Sequence, residues 1–150
     1  MGSSLVKVDV HLVFHVKNNK LLMKEEDLPR IFEYVGGIIR NIGAIPIEIG
    51  GIDNHIHILT SIPKSTTIAD FVRTIKSNSS RWIKTIDTYY ETFAWQDGYA
   101  MFSVGYNALE TVVKYIKNQK RHHTEQSYKT EYTSILDKHN VQYDEKYIFD

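Results

Sequence analysis

Two places in the chain hold side chains whose type and spacing could do chemistry. The first is His55-Ile56-His57. On an extended strand, residues i and i+2 project from the same face, so both imidazoles would stand together while Ile56 and Ile58 enter the core. Two neutral imidazoles can bind one divalent ion, usually with a third protein ligand. Two ordinary surface or hydrogen-bonded histidines would leave the same trace. The second place is Tyr115, with Gln119 four residues on and His122 three beyond that. On a helix the three share one edge. They would offer a nucleophile and an oxygen ligand from one rigid element, although a tyrosine there can equally cover the margin of a core. An ordinary phenol, with a pKa of about 10, holds little phenolate at neutral pH and needs activation or a proton acceptor. The sequence identifies no acceptor.

The surrounding pattern shows what must position these groups. Val6 to Val16 alternates, with Val6, Val8, Val10, Leu12, Phe14 and Val16 on one side and Lys7, Asp9, His11 and His15 on the other. This predicts a strand with one buried and one polar face. Ile31, Phe32, Val35, Ile38, Ile39 and Ile42 recur at helical spacing over Leu28 to Ile42, and Gly43 stands at the C-cap. Two apolar runs, Ala44 to Ile49 and His55 to Ile62, flank Gly50-Gly51-Ile52-Asp53-Asn54. That composition predicts a hairpin. Ser65-Thr66-Thr67 can cap a second helix whose stripe is Ile68, Phe71, Val72, Ile75, Trp82, Ile83 and Ile86. Tyr89 to Asp97 is aromatic and irregular. Tyr99 to Val104 reads as a fourth strand, a third helix starts near Asn107, and a last helix covers Ser127 to His139. The order β-α-β-β-α-β-α predicts an α+β fold, a four-stranded antiparallel sheet with packed helices, ferredoxin-like or RRM-like. No linker or low-complexity segment divides residues 1–150, so one domain is expected.

Composition narrows the class. Hydrophobic residues at 42% and charged residues at 24% exclude a disordered chain. Cysteine is absent, which removes disulfides and thiolate metal sites. No apolar run reaches the ~20 residues of a bilayer span, and the start lacks a secretory signal, so a cytoplasmic protein with no membrane partner is expected. The net charge is zero, yet between Lys64 and Lys84 five basic residues (Lys64, Arg73, Lys76, Arg81, Lys84) face one acid, Asp70. Lys114, Lys117, Lys120 and Arg121 make a second basic cluster before His122 and His123. Solvated helix faces account for either cluster alone; together they also suit phosphate contact.

Longer blocks carry a resemblance. They are Phe93-Ala94-Trp95-Gln96-Asp97-Gly98-Tyr99, Phe102-Ser103-Val104, and Tyr115-Ile116-Lys117-Asn118-Gln119 followed by His122-His123. With His11-Leu12-Val13-Phe14, Gly36-Gly37-Ile38-Ile39-Arg40 and the run Ile75 to Ile83, the chain resembles the HUH single-tyrosine transposases. These are the transposase A proteins of small insertion sequences, related to the REP-associated tyrosine transposases. The resemblance reaches the ending Tyr143-Asp144-Glu145-Lys146-Tyr147. It implies that Tyr115 is the nucleophile and that His55, His57 and Gln119 hold Mg²⁺ or Mn²⁺. It further implies cleavage and rejoining of single-stranded DNA through a 5′-phosphotyrosine, recognition of a hairpin at element ends, and a homodimer. Asn54 stands where family members often carry an acid, with Asp53 one place earlier. His122 and His123 are accessory candidates. DNA contacts are expected from Arg73, Lys76, Arg81 and Lys84, with Lys7, His11 and His15 on the polar strand face.

Two other readings compete. A phosphoesterase or nucleotidyl hydrolase could use His55 and His57 directly, although a histidine-triad signature would need histidine where Leu59 stands. A single-strand-binding module without catalysis would need neither Tyr115 nor Gln119.

Overall fold

Alternation along the strands and helical stripes between them build a two-faced sheet. In the computed structural model, which describes residues 2–119 and 127–150, the strands are β1 (Asp9–His15), β2 (Pro46–Ile52), β3 (His55–Ser61) and β4 (Ala100–Val104). They form an antiparallel sheet in the order β2-β3-β1-β4. The helices among the described residues are α1 (Leu28–Ile42), α2 (Ile68–Ile83), α3 (Leu109–Lys117) and α4 (Tyr128–Lys138). The α+β arrangement is the one the sequence predicts. No described helix is long and apolar enough to cross a membrane.

Side-chain parity divides the sheet. Leu12 and Phe14 of β1 and Ile56 and Ile58 of β3 meet Val35 and Ile39 of α1 and Phe71 and Ile75 of α2 in the main core. The opposite face carries a second apolar cluster, in which Val13, Ala100 and Phe102 meet Tyr128, Tyr132 and Leu136 of α4. α3 lies over β2 and β3 on that side. Each fully buried large apolar side chain contributes roughly 1.5–3 kcal/mol, enough for the second cluster to hold α4 over strands whose second face is partly polar.

The ends of the elements follow local chemistry. Gly43 closes α1 with φ of 96°, its N–H donating to the carbonyls of Arg40 and Ile39. Thr67 caps α2, its hydroxyl accepting from the Asp70 N–H at 3.0 Å. Three expectations need correction. β1 starts at Asp9, not Val6, and Val6 and Val8 are exposed, because β4 ends opposite Asp9 and gives them no second neighbour. Gly50, Gly51 and Ile52 belong to β2, so the hairpin turn is confined to Asp53 and Asn54. Ile68, placed in the apolar stripe of α2, is exposed at the first position of the helix.

Candidate metal and nucleophile site

The histidine pair reaches the second face of the sheet as its spacing predicts, but that face is closed. His55 and His57 are fully buried, and His11 and His15 from β1 are buried beside them. The polar strand face is therefore interior. His11 and His15, expected as solvent-facing DNA contacts, instead sit under α3, α4 and the chain's last residues. Lys7 lies before β1 and is paired with Asp9 at 2.6 Å.

Each imidazole is held at Nδ1 and presents Nε2. His55 Nδ1 lies 2.8 Å from Asn54 Oδ1, and His57 Nδ1 lies 2.8 Å from His11 Nε2. His11 itself is held neutral, chiefly by burial and then by the neighbouring His57. On the other side, His55 Nε2 is 2.9 Å from Gln119 Oε1. His57 Nε2 is 3.0 Å from Glu131 Oε1, and His55 Nε2 is 3.6 Å from the same oxygen. The ligand atoms of His55, His57 and Glu131 all lie within 4.8 Å of one another. An imidazole whose Nδ1–H donates to Asn54 has only a lone pair on Nε2. In that tautomer Nε2 would offer its lone pair to an ion lying between it and the two side-chain oxygens. Ligands at right angles around an ion at ~2.1 Å stand about 3.0 Å apart, so the donor set and its spacing fit a small divalent cation.

Gln119 falls just past α3, whose last residue is Lys117, and its amide also donates to the Tyr115 carbonyl at 3.4 Å. The Tyr115 phenol lies near enough to the side chains of Gln119 and Glu131 for both to act on its pKa. Its ring stands edge-on to His57 at 5.6 Å and to His11 at 6.2 Å. Burial raises the phenol pKa above its ordinary value, the Glu131 charge adds to the rise, and Gln119 opposes it. Burial would raise the Glu131 carboxyl too, but its hydrogen bonds to His55 and His57 prevail and hold it well below the usual carboxylate range. α3 can approach this closely because β2 carries glycine at the crossing. A Cβ on Gly50 would stand 2.8 Å from Ile116 Cγ2 and 3.0 Å from the Ile116 carbonyl oxygen.

Sequence reasoning missed Glu131. It comes from α4, where Tyr128, Glu131, Tyr132 and Leu136 form the buried stripe. A lone acid inside an otherwise apolar helical face was the available signal. The basic residues of α2 lie on the other side of the sheet from the histidines. Arg73 pairs with Asp70, Arg81 contacts Asn78, and Lys84 is the exposed C-cap of α2. Lys76 is half-buried and donates to the carbonyls of Gln96, Asp97 and Gly98 at 2.6, 3.0 and 2.9 Å. Lys120, Arg121, His122 and His123 lie outside the described residues.

Comparison with known proteins gives the class. The family model for IS200-like transposases matches residues 4–119, a span that contains His55, His57, Tyr115 and Gln119 and ends before Glu131. The chain belongs to this transposase family. Among solved structures, it is similar to a candidate transposase from Deinococcus radiodurans R1. The two are 18% identical with a TM-score of 0.62, over 79% of this chain and 95% of that one. It is also similar to a REP-associated tyrosine transposase bound to a REP hairpin, at 12% identity and a TM-score of 0.58, over 82% of this chain and 73% of that one. These two likenesses are of fold. The comparison with curated proteins finds no match.

Proposed function

We propose that the chain, as a single domain, cleaves and rejoins single-stranded DNA at insertion-element ends by transesterification through Tyr115. The observation that carries this reading is one buried cluster, in a chain of the transposase family, where the Tyr115 ring stands edge-on to His57 beside the oxygen side chains bonded to His55 and His57. The phenol oxygen attacks the scissile phosphorus, a 5′-phosphotyrosine bond forms, and the P–O3′ bond breaks with the 3′ oxygen taking up a proton. Another 3′-OH can reverse the step with the phosphodiester energy kept. The proton the phenol loses is balanced by the one the departing 3′ oxygen takes up, and Glu131, held well below the usual carboxylate range, serves as an oxygen ligand rather than as the base. His55 and His57, with Gln119 and Glu131 as oxygen ligands, would hold Mg²⁺ or Mn²⁺, which supplies Lewis-acid polarisation of a phosphate oxygen. His11 and Asn54 fix the ring orientations from behind, as outer partners of metal-bound histidines do.

A DNA hairpin is the proposed substrate, supported by the hairpin in the REP-associated neighbour. The exposed Arg73, Arg81 and Lys84 suit phosphate contact away from the reacting centre. A homodimer is proposed on the family resemblance. The test is a gel. Single-stranded element-end DNA and Mn²⁺ should give an SDS-resistant adduct that Tyr115→Phe abolishes while Mn²⁺ binding persists. An adduct unchanged in Tyr115→Phe would refute the nucleophile.

A further inference from the structure

A cavity of about 430 Å³ opens beside the histidine cluster, within the ~300–1,000 Å³ range of ligand pockets. Its walls include His15 at the end of β1, Asn54 in the hairpin turn, Tyr128 and Lys129 at the start of α4, and Phe149. Tyr128 is a wall shared with the metal cluster, its ring 5.2 Å from His15 and 4.4 Å from His55. Asn54 is shared in the same way, since it also bonds His55.

His15 makes this cavity more than a surface dent. Its Nδ1 lies 2.7 Å from the Val16 carbonyl, so that nitrogen carries the proton and Nε2 is left with a lone pair. The residue is only 7% exposed, and Nε2 has no hydrogen-bond partner among the described residues. A buried acceptor left unsatisfied costs about 1–3 kcal/mol, and only an N–H or O–H donor relieves it. The rim adds Asn18 and Asn19, both at φ of 54°, a left-handed conformation that asparagine tolerates but which still stores strain. Tyr128 and Phe149 offer ring surfaces, and Lys129 with the N-terminus of α4 favours a phosphate attached to whatever the rings hold. Asp150 also lines the cavity, and its negative charge favours an N–H nearby over a phosphate.

We propose that this cavity binds one unstacked base of the single-stranded DNA, with His15 Nε2 accepting an N–H from the base edge and Tyr128 or Phe149 covering its ring. The inference rests on the single-stranded-DNA reading above and deepens it. The held base belongs to the nucleotide neighbouring the scissile phosphate, so the pocket selects sequence next to the cut.

The test uses the full chain and five probes, the four deoxynucleoside 5′-monophosphates and deoxyribose 5-phosphate. Long-range ¹⁵N–¹H spectra of the imidazoles should show His15 Nε2 moving with at least one nucleotide and not with deoxyribose phosphate. His15→Leu should weaken that nucleotide about tenfold, and His15→Gln, which keeps an acceptor oxygen, should recover most of it. The wild-type spectrum decides the matter even if a variant folds poorly. No response at His15 to any nucleotide, or an equal response to deoxyribose phosphate, overturns the pocket. The adduct gel separates the two readings. An adduct whose preference for the flanking base is unchanged in His15→Leu sinks the pocket and leaves the transesterification standing. Nucleotide binding at His15 with no adduct under Mn²⁺ leaves the pocket and sinks the transesterification.

Discussion

Glu131 Oε1 stands 3.0 Å from His57 Nε2, although 74 residues separate them in the chain. The contact joins α4 to β3 and turns a histidine pair into a mixed nitrogen and oxygen donor set. A hard divalent ion prefers a charged carboxylate to a neutral amide, which ranks Glu131 above Gln119 as an oxygen ligand.

Replacing Glu131 by Gln should therefore weaken Mn²⁺ binding by roughly 10–100-fold, and Gln119→Ala should cost less. Calorimetric titration of each variant with Mn²⁺ measures both. Equal affinities in wild type and Glu131→Gln would remove Glu131 from the ligand set.

Gly50→Ala should dislodge α3, because the added carbon meets Ile116 side chain and backbone at 2.8 and 3.0 Å. Overpacking of this kind costs about 1–3 kcal/mol, visible in urea melts. Adduct formation should fall by more than the Mn²⁺ affinity does, since His55 and His57 are on β3 while Tyr115 moves with α3. Adduct formation at the wild-type rate would show that the close crossing is not needed.

Lys76→Met should lower the melting temperature by several degrees. Burial depresses the lysine pKa, yet its ammonium is the common donor to three carbonyls of the Gln96–Gly98 segment, which the substitution leaves without it. A clip of this sort predicts unchanged salt dependence of single-stranded-DNA binding at temperatures where the variant is folded. A slope reduced by about one phosphate contact, with an unchanged melting temperature, would assign Lys76 to DNA instead.

Alkali should destabilise the protein through its buried phenols. Burial pushes Tyr132 up to about 12, and burial likewise raises Tyr115 and Tyr128. In the unfolded chain a phenol releases its proton near pH 10, while the folded protein retains it. The contribution is complete below that pH and is lost as pH rises through the folded value. Urea midpoints should decline above about pH 10, and less steeply in Tyr132→Phe. A flat profile in this range would contradict the assignment.

Local rules made much of the fold legible. Helical spacing and Gly43 define α1 from Leu28 to Ile42, and Thr67 starts α2 where a cap is expected. The i, i+2 relation puts His55 and His57 on one face, and Tyr115 with Gln119 does come over them. Local rules fail where the partner is distant. Gly50 and Gly51 look like turn residues, but Gly50 is small because a helix crosses it. Lys76 looks like a surface cation, but the carbonyls it binds lie about 20 residues on.

The sequence alone determined the order of elements, the paired imidazoles on one strand face, and the family to which that pattern belongs, because strand and helix periodicity act between near neighbours. Tertiary structure decided that this face is buried, that His11 backs His57, that Glu131 joins the cluster, and that His15, on the wall of a cavity, keeps Nε2 buried without a hydrogen-bond partner. Those facts depend on which helix covers which face. That is settled by burying apolar stripes such as Tyr128, Tyr132 and Leu136 against the sheet, and the polar side chains carried along with them meet partners that no local spacing could name.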